Sequence, residues 1–408
     1  MIDGTCSPKF ERVRVEFERN FAERGEVGAS VCLTLDGETV VDLWGGVADP
    51  TSGRAWDRDT IGVLWSCTKG AVALCAHMLM ARGDVTLDAP VASYWPEFAK
   101  NGKDAVTIRM LLAHQAGLAA LREPIPDGGF CHWDDIVDRL AAQEPLREPG
   151  LRHGYHALTF GHLVGEVVRR VTGRSIGAFF REEVAEPLDL DFWIGLPEEH
   201  EGRVAPTIAA EMPAPGALLP SFYRVAMGDP TSVPGMVLFN SGALLAPGFI
   251  DTRQAHEAEI PSAGGIGNAR ALAGMYRVLA LGGHTHEEQL VDREQVSIMG
   301  STTSASSIDA TLFVPTRWST GFVKSMDNRA REPGDQDGVI MSEDAFGHVG
   351  MGGSIGFADP RAHMSFAYTM NRQGMAVGLD ERGQSLVDAT YHCLGYRRPE
   401  RGGSWFCT

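Results

Sequence analysis

The chain has 408 residues, 44% hydrophobic and 22% charged, the balance of an ordinary globular protein with a sizeable core. Thirty-six Lys and Arg stand against 53 Asp and Glu, a formal charge of −17; this excludes a generic polyanion binder, because no surplus cation is present to displace counterions from phosphates, and it disfavours adhesion to anionic membrane surfaces. Length divides into two or three domains at about 150 residues each, and the 48 glycines exceed the usual ~7%, so tight turns and close backbone approaches are expected.

The N-terminus carries charges throughout and has no continuous apolar segment, so it does not read as a secretory signal. No run of about 18 apolar residues occurs. The seven cysteines are odd in number and lack C-x-x-C spacing, which suits reduced thiols in a cytoplasmic protein. Residues 8–24 place Phe10, Val13, Val15, Phe17 and Phe21 at helical spacing. Two strands follow, joined at Asp36-Gly37, a dipeptide suited to a tight hairpin. After Ser66, an apolar segment ending at Gly83-Asp84 predicts a core helix. The middle of the chain, from about 86 to 250, alternates helical patterns (TIRMLLAHQAG, WDDIVDRLAAQ, TFGHLVGEVVRRVTG) with Pro/Gly loops. The stretch 203–250 is rich in Pro, Ala and Gly and is expected to form long loops near a cleft. NARALAGMYRVLAL is helical again, three β-like runs follow (RWSTGFVKS, FGHVGMGGSIGFADP, HMSFAYTMN), and a last helix covers roughly 380–394.

Strands at both ends and helices between them predict an α+β fold. One antiparallel sheet is built from N- and C-terminal segments and flanked by helices. The expected division is 1–85 with 251–408 as an α/β subdomain, and 86–250 as a mostly helical inserted subdomain. The active site is expected in the cleft between them.

Three segments carry chemistry. Ser66 and Lys69 form S-x-x-K at the start of the first core helix, on one helix face. Ser66 there meets unpaired N–H groups and the positive helix end, and a desolvated Lys69 can activate its hydroxyl. Tyr155 lies at a loop–helix junction; beside an ammonium its phenol is expected to ionise more readily, to take the serine proton and later return it to a leaving alkoxide. Gly347-His348-Val349-Gly350-Met351 is a strand without bulk, against which a substrate can lie, and one of its N–H groups with that of Ser66 can form an oxyanion hole.

In this order, the three segments resemble the serine β-lactamase and penicillin-binding-protein superfamily, which uses S-x-x-K, a Tyr-based second motif and K-T-G or H-x-G on a strand. More closely, the chain is similar to the class C β-lactamase-like carboxylesterases called family VIII. The resemblance implies Ser66 as nucleophile, Lys69 and Tyr155 as the base pair, His348 and Gly350 on the third-motif strand, and the N–H groups of Ser66 and Met351 on the oxyanion. Tyr155-His156-Ala157 departs from the usual Y-x-N or S-x-N, and His348 stands where β-lactamases usually have Lys. Both changes favour a neutral ester over a penicillin or peptide. The expectation is therefore a serine carboxylesterase for short-chain esters, needing no metal or organic cofactor, with a small-molecule ester as its partner and neither nucleic acid nor membrane; monomer and homodimer are both open. The alternatives are a β-lactam, amide or D-peptide hydrolase or acyltransferase of the same fold, and a non-catalytic penicillin-recognising scaffold.

Phe130, Trp133, Phe222, Tyr223 and Phe239 are candidates for an apolar acyl pocket. Ser354 lies in a G-x-S-x-G match, but the run after it is β-like where a nucleophile elbow needs a helix. His363 and His392 are the bases that site would have to use. Cys67 reads as a packed thiol, His284-Thr285-His286 as a surface loop and not a metal site, and His114 as a structural residue stabilised by a helix C-terminus.

Overall fold

The computed structural model describes residues 2–211, 218–285, 288–400 and 402–407. Its main sheet answers how the two ends of the chain meet. Six strands are β1 (Ile2–Cys6), β2 (Gly28–Leu35), β3 (Glu38–Asp49), β4 (Phe346–Val349), β5 (Ile355–Asp359) and β6 (Met364–Met370). They lie in the order β1-β3-β2-β6-β5-β4 with every pair antiparallel. The N-terminal hairpin turns at Asp36-Gly37, as the dipeptide predicts, and its β2 pairs with β6 through seven residues, Val31 opposite Tyr368. Both strands are almost wholly buried, as expected of central strands covered on both faces.

One face is covered by α1 (Glu11–Glu23) and the C-terminal helix Glu381–Cys393. Helix α1 buries Val13, Phe17 and Asn20, one stripe at helical spacing. Val15, expected in that stripe, is 45% exposed: it stands two residues from both Val13 and Phe17, about 200° around the helix from each at ~100° per residue, on the opposite face. The other face packs on the helix Ala269–Ala280, and beyond it lies α2 (Thr68–Ala81), buried on nearly every side against Phe160–Thr172. No helix among the described residues is long and apolar enough to cross a membrane.

A second, four-stranded sheet joins Phe192–Ile194, Gly265–Gly267, Ile61–Val63 and Val204–Ala205. Its strand Ile61–Val63 runs straight into the turn that carries Ser66.

Two segments differ from expectation. Residues 203–250 contain the helices Ser221–Gly228 and Val233–Phe239. Their prolines lie at helix starts, Pro220 just before the first and Pro234 within the first turn of the second. Proline is tolerated there because those N–H groups have no intrahelical partner. The run FGHVGMGGSIGFADP is not one strand but two, β4 and β5, folded back at Gly352 and Gly353, whose φ values are +86° and +114°. Of RWSTGFVKS, only Arg317 and Trp318 lie in a strand, Thr316–Trp318, which pairs with Ser304–Ser306; a single bridge from Val323 to Gly347 ties the run to β4.

Candidate active site

Ser66 occupies a single 3-10 turn, Trp65–Cys67, between Ile61–Val63 and α2. Trp65 has φ +49°, a left-handed conformation that is strained for a bulky residue. The Leu64 N–H donates to Gly265 O (2.8 Å) and Thr68 Oγ1 to Trp65 O (2.6 Å), fixing the turn on both sides. Ser66 is left half-exposed, facing a cavity of about 390 Å³.

Lys69 is one helical turn further on and fully buried. Its Nζ lies 2.9 Å from Ser66 Oγ, 2.7 Å from Ala157 O and 2.8 Å from Ser262 O. Among the described residues no carboxylate compensates it, and burial pushes its pKa well below the usual lysine value. The Nζ also stands 4.9 Å from the centre of the Tyr155 ring. S-x-x-K, the tyrosine and the cavity thus meet in one place.

Tyr155 keeps part of its surface toward the cavity, yet its surroundings raise its phenol above the ordinary value; burial is the main cause, and a hydrogen bond with Ser66 only partly offsets it. This corrects the expectation of a phenol lowered by a lysine cation. Burial penalises the phenolate directly and also lowers Lys69, which weakens the cation that was to favour it.

His348 on β4 is also buried and neutral, its pKa pushed down to about 3 by burial and by Lys69. Its Nδ1 lies 2.8 Å from Val349 O, and its ring is tilted beside those of Tyr155 and Trp318. Gly350 follows at a point of close approach: a Cβ there would lie 2.1 Å from Ser354 Oγ and 2.5 Å from Leu64 O. The Gly353 N–H donates to Gly350 O (3.1 Å). The Gly350 carbonyl and the Met351 N–H belong to one peptide, so this bond also orients the Met351 N–H. The Ser66 and Met351 N–H groups enter none of the backbone hydrogen bonds of the described residues, and both residues line the cavity.

The other sequence candidates separate clearly. Phe222 and Tyr223 line the cavity, as do Val237, Leu312 and Val314. Phe130, Trp133 and Phe239 do not. Phe130 is buried in the core beside His162, Trp133 donates its indole N–H to Glu166 (2.8 Å), and Phe239 is 58% exposed on the outer face of its helix. Ser354 is buried; its Oγ donates to Leu64 O (3.2 Å), and β5 follows it, so no nucleophile elbow exists. His363 pairs with Asp36 and His392 packs on Trp405, neither near Ser354. Cys67 is a packed thiol whose Sγ donates to His348 O (3.3 Å), with its pKa raised to about 12 by burial. His114 is structural, but not through a charge on a helix end: burial keeps it neutral, and its Nδ1 accepts the His156 N–H (3.1 Å). Of the pair His284 and His286, His286 lies outside the described residues.

Several partners were not anticipated. The carbonyls of Ala157 and Ser262, which hold Lys69, carry no side-chain signal. Trp318 stacks on Tyr155 at 5.2 Å and 5°, and Asp309 accepts the Tyr155 N–H (3.0 Å). A carboxylate 154 positions from its partner has no local pattern to reveal it.

The beta-lactamase family model matches residues 16–390. The chain belongs to the beta-lactamase family. Among curated relatives in that family it is similar to the "Esterase/beta-lactamase LipL" of Mycobacterium tuberculosis, 37% identical over 379 residues, covering 91% of this chain and 83% of the relative. It is also similar to the "Esterase EstB" of Burkholderia gladioli, 33% identical over 220 residues, covering 48% of this chain and 56% of EstB. Among solved structures, a family VIII carboxylesterase superposes with TM-score 0.83 at 37% identity, covering 96% of this chain and all of that one. A penicillin-binding-protein homologue from Caulobacter crescentus gives 0.84, also at 37% identity and with the same coverage. The beta-lactamase fold, with its antiparallel sheet from both termini, and membership among the serine hydrolases of that fold follow directly.

Proposed function

We propose that this protein is a carboxylesterase for uncharged short-chain esters, working through an acyl-enzyme on Ser66. The observation that carries the reading is the surroundings of Lys69 Nζ. An unprotonated amine has two N–H bonds and one lone pair. The Lys69 Nζ donates to the carbonyls of Ala157 and Ser262 and to Ser66 Oγ at 2.9 Å; once burial has cost it its third proton, the two carbonyls keep the remaining N–H bonds and the lone pair faces the Ser66 hydroxyl.

In the first step, Lys69 accepts the Ser66 proton while Oγ bonds to the ester carbonyl carbon. The N–H groups of Ser66 and Met351 receive the negative oxygen. Tyr155, a protonated phenol, gives its proton to the departing alkoxide and is reprotonated from Lys69, so the acyl-enzyme forms with the base restored. Water then attacks the acyl-enzyme by the reverse proton path, releasing the acid and Ser66.

The charge of the cavity supports an ester over a β-lactam or a D-peptide, both of which present a carboxylate. Among the described lining residues, Lys324 donates to the carbonyls of Glu343 and Ala345, and Arg317 is paired with Glu343. His348 is neutral, and the carboxyl groups of the lining, Asp251 and Asp337, are raised by burial and give a substrate carboxylate no cationic partner. Ala157 stands where Y-x-N has its Asn and gives the cavity only a methyl group, while His156 turns inward and accepts the Leu118 N–H (3.0 Å), so no side-chain amide reaches the substrate from the second motif. A cavity of about 390 Å³ suits a small acyl group, at the lower end of the usual range for ligand sites. A cytoplasmic setting belongs to the same reading, supported by the buried thiols Cys32, Cys67 and Cys75.

The test is a fluorophosphonate adduct mapped by mass spectrometry, with p-nitrophenyl acetate, p-nitrophenyl butyrate and nitrocefin assayed in parallel. An adduct on Ser66 with ester turnover well ahead of nitrocefin is expected. Nitrocefin turned over faster than both esters would replace the reading with a β-lactamase, and an inert, unlabelled protein would replace it with a scaffold.

A further inference from the structure

Asp309 is fully buried and, among the described residues, no lysine or arginine comes within ion-pair distance of it, Arg147 acting on it only from further off. It sits in the loop between Ser304–Ser306 and Thr316–Trp318. Five donors converge on it. Oδ1 accepts the N–H groups of Tyr155 (3.0 Å), Thr311 (2.8 Å) and Leu312 (3.0 Å). Oδ2 accepts the Thr316 hydroxyl (3.1 Å) and shares with Thr316 Oγ1 the Trp318 indole N–H, which lies 3.1 Å from the hydroxyl and 3.4 Å from the carboxylate; it also faces His153 Nε2 at 3.6 Å. Only a carboxylate can accept from all of them; an amide in its place would turn its own N–H groups toward donors.

Two of these donors converge on the same ring. One is the backbone of Tyr155 itself. The other is the indole of Trp318, which lies flat against the Tyr155 ring at 5.2 Å. The loop grips the neighbouring residue too: the Ala310 N–H donates to His153 O (3.2 Å), and a Cβ on Gly154 would stand 3.0 Å from both Ala310 Cβ and Thr311 Oγ1. Tyr155 is therefore fixed from its backbone and from its ring face by one side chain 154 positions away.

We infer that Asp309 is the positioning residue that holds Tyr155 at Ser66 and Lys69. The inference rests on the proposed role of Tyr155 as proton carrier. A buried carboxylate used only for stability would not need to tie both the tyrosine and the ring stacked on it. Asp309 touches neither substrate nor reacting atoms, so its effect is felt through the tyrosine alone.

The experiment is a double-mutant cycle of Asp309→Asn and Tyr155→Phe, with p-nitrophenyl butyrate as substrate and circular dichroism to confirm folding. Asp309→Asn is expected to lower kcat by one to two orders of magnitude with KM held within about twofold, as for loss of a group acting only in the transition state. In the Tyr155→Phe background the same substitution is expected to change kcat by less than about threefold, because coupled residues are not additive. Equal losses in both backgrounds, or a rise in KM with kcat unchanged, would overturn the inference. Trp318→Phe keeps the stack and removes only the indole donor. Taken through the same cycle, it decides the matter if Asp309→Asn does not fold: additivity with Tyr155→Phe rejects the linkage. Ser66→Ala is run alongside. If it keeps the wild-type rate, the nucleophile assignment itself has failed; if it is inactive while the cycle is additive, only the role of Asp309 has.

Discussion

Two serines stand on either side of one carbonyl. Ser66 follows Leu64 by two positions, and Ser354 donates its proton to the oxygen of that same Leu64. Both match nucleophile motifs. Ser66 faces a cavity and has the Lys69 Nζ at 2.9 Å, an amine whose pKa burial lowers and which the proposed mechanism uses to receive its proton. Ser354 is buried, its proton is committed to the Leu64 carbonyl at 3.2 Å, and its oxygen accepts from the Cys67 thiol, whose Sγ lies 3.7 Å away. A hydroxyl becomes a nucleophile when its proton has a base to go to and its oxygen has space in front of it. Ser354 has neither, and serves to hold the turn that presents Ser66.

The sharpest break in that comparison is Ser66→Ala. Esterase activity should fall by about 10⁴-fold or more, the scale seen when a covalent nucleophile is removed, with the circular dichroism spectrum unchanged. The fluorophosphonate adduct should vanish with it; an adduct surviving on Ser354 would reverse the two roles.

Lys69→Met should follow, at about 10² to 10⁴-fold for loss of a general base. The wild-type pH profile is a second measure of the same residue. The base works unprotonated, so kcat/KM should fall as the pH drops through the pKa of Lys69, which burial places well below 10.5. Tyr155 works as a protonated phenol and burial raises it, so no alkaline loss should begin below about pH 10, the ordinary phenol value. A profile that loses activity between neutrality and pH 9 would mean that the phenol ionises early and that Lys69 keeps its charge.

What could be read in advance and what could not follows the range of the interactions. Ser66 and Lys69 are three residues apart on one helix, so their meeting is local geometry. The pairing of the two chain ends was legible because strands cluster there and need partners. Phe130 and Trp133 were indistinguishable from Phe222 and Tyr223 by composition, since all four are aromatics in loop-rich segments; only packing separates a wall of the cavity from the core. Pro220 and Pro234 looked like breakers because proline ends one helix and begins another with equal ease, and the glycines of the β4–β5 turn hid a reversal inside what looked like one strand. The shift of Tyr155 runs opposite to expectation for a physical reason: the burial that brings the lysine beside it penalises the phenolate directly.

Gly350→Ala tests the link between the two serines. Its new Cβ would meet Ser354 Oγ at 2.1 Å and Leu64 O at 2.5 Å, so the β4 end must move away from the Ser66 turn and carry the Met351 N–H with it. The kcat should fall by one to two orders of magnitude, in the range found for loss of one oxyanion donor. Adding Ser354→Ala removes the nearer clash but leaves the backbone carbonyl, so rescue should be partial. Full rescue would show that the crowding came from the hydroxyl alone.

Ser354→Ala by itself should have the smallest effect. It removes one hydrogen bond to Leu64 O and leaves that carbonyl short of a donor, a loss of about 1 kcal/mol in stability, read as a lower denaturant midpoint. The lost atom lies behind the Ser66 turn and not in the cavity, so KM should not change and kcat should stay within a few-fold. A well-folded Ser354→Ala protein that had lost more than about 100-fold in kcat would mark this hydroxyl as acting in the transition state, which its present bond to Leu64 gives it no means to do.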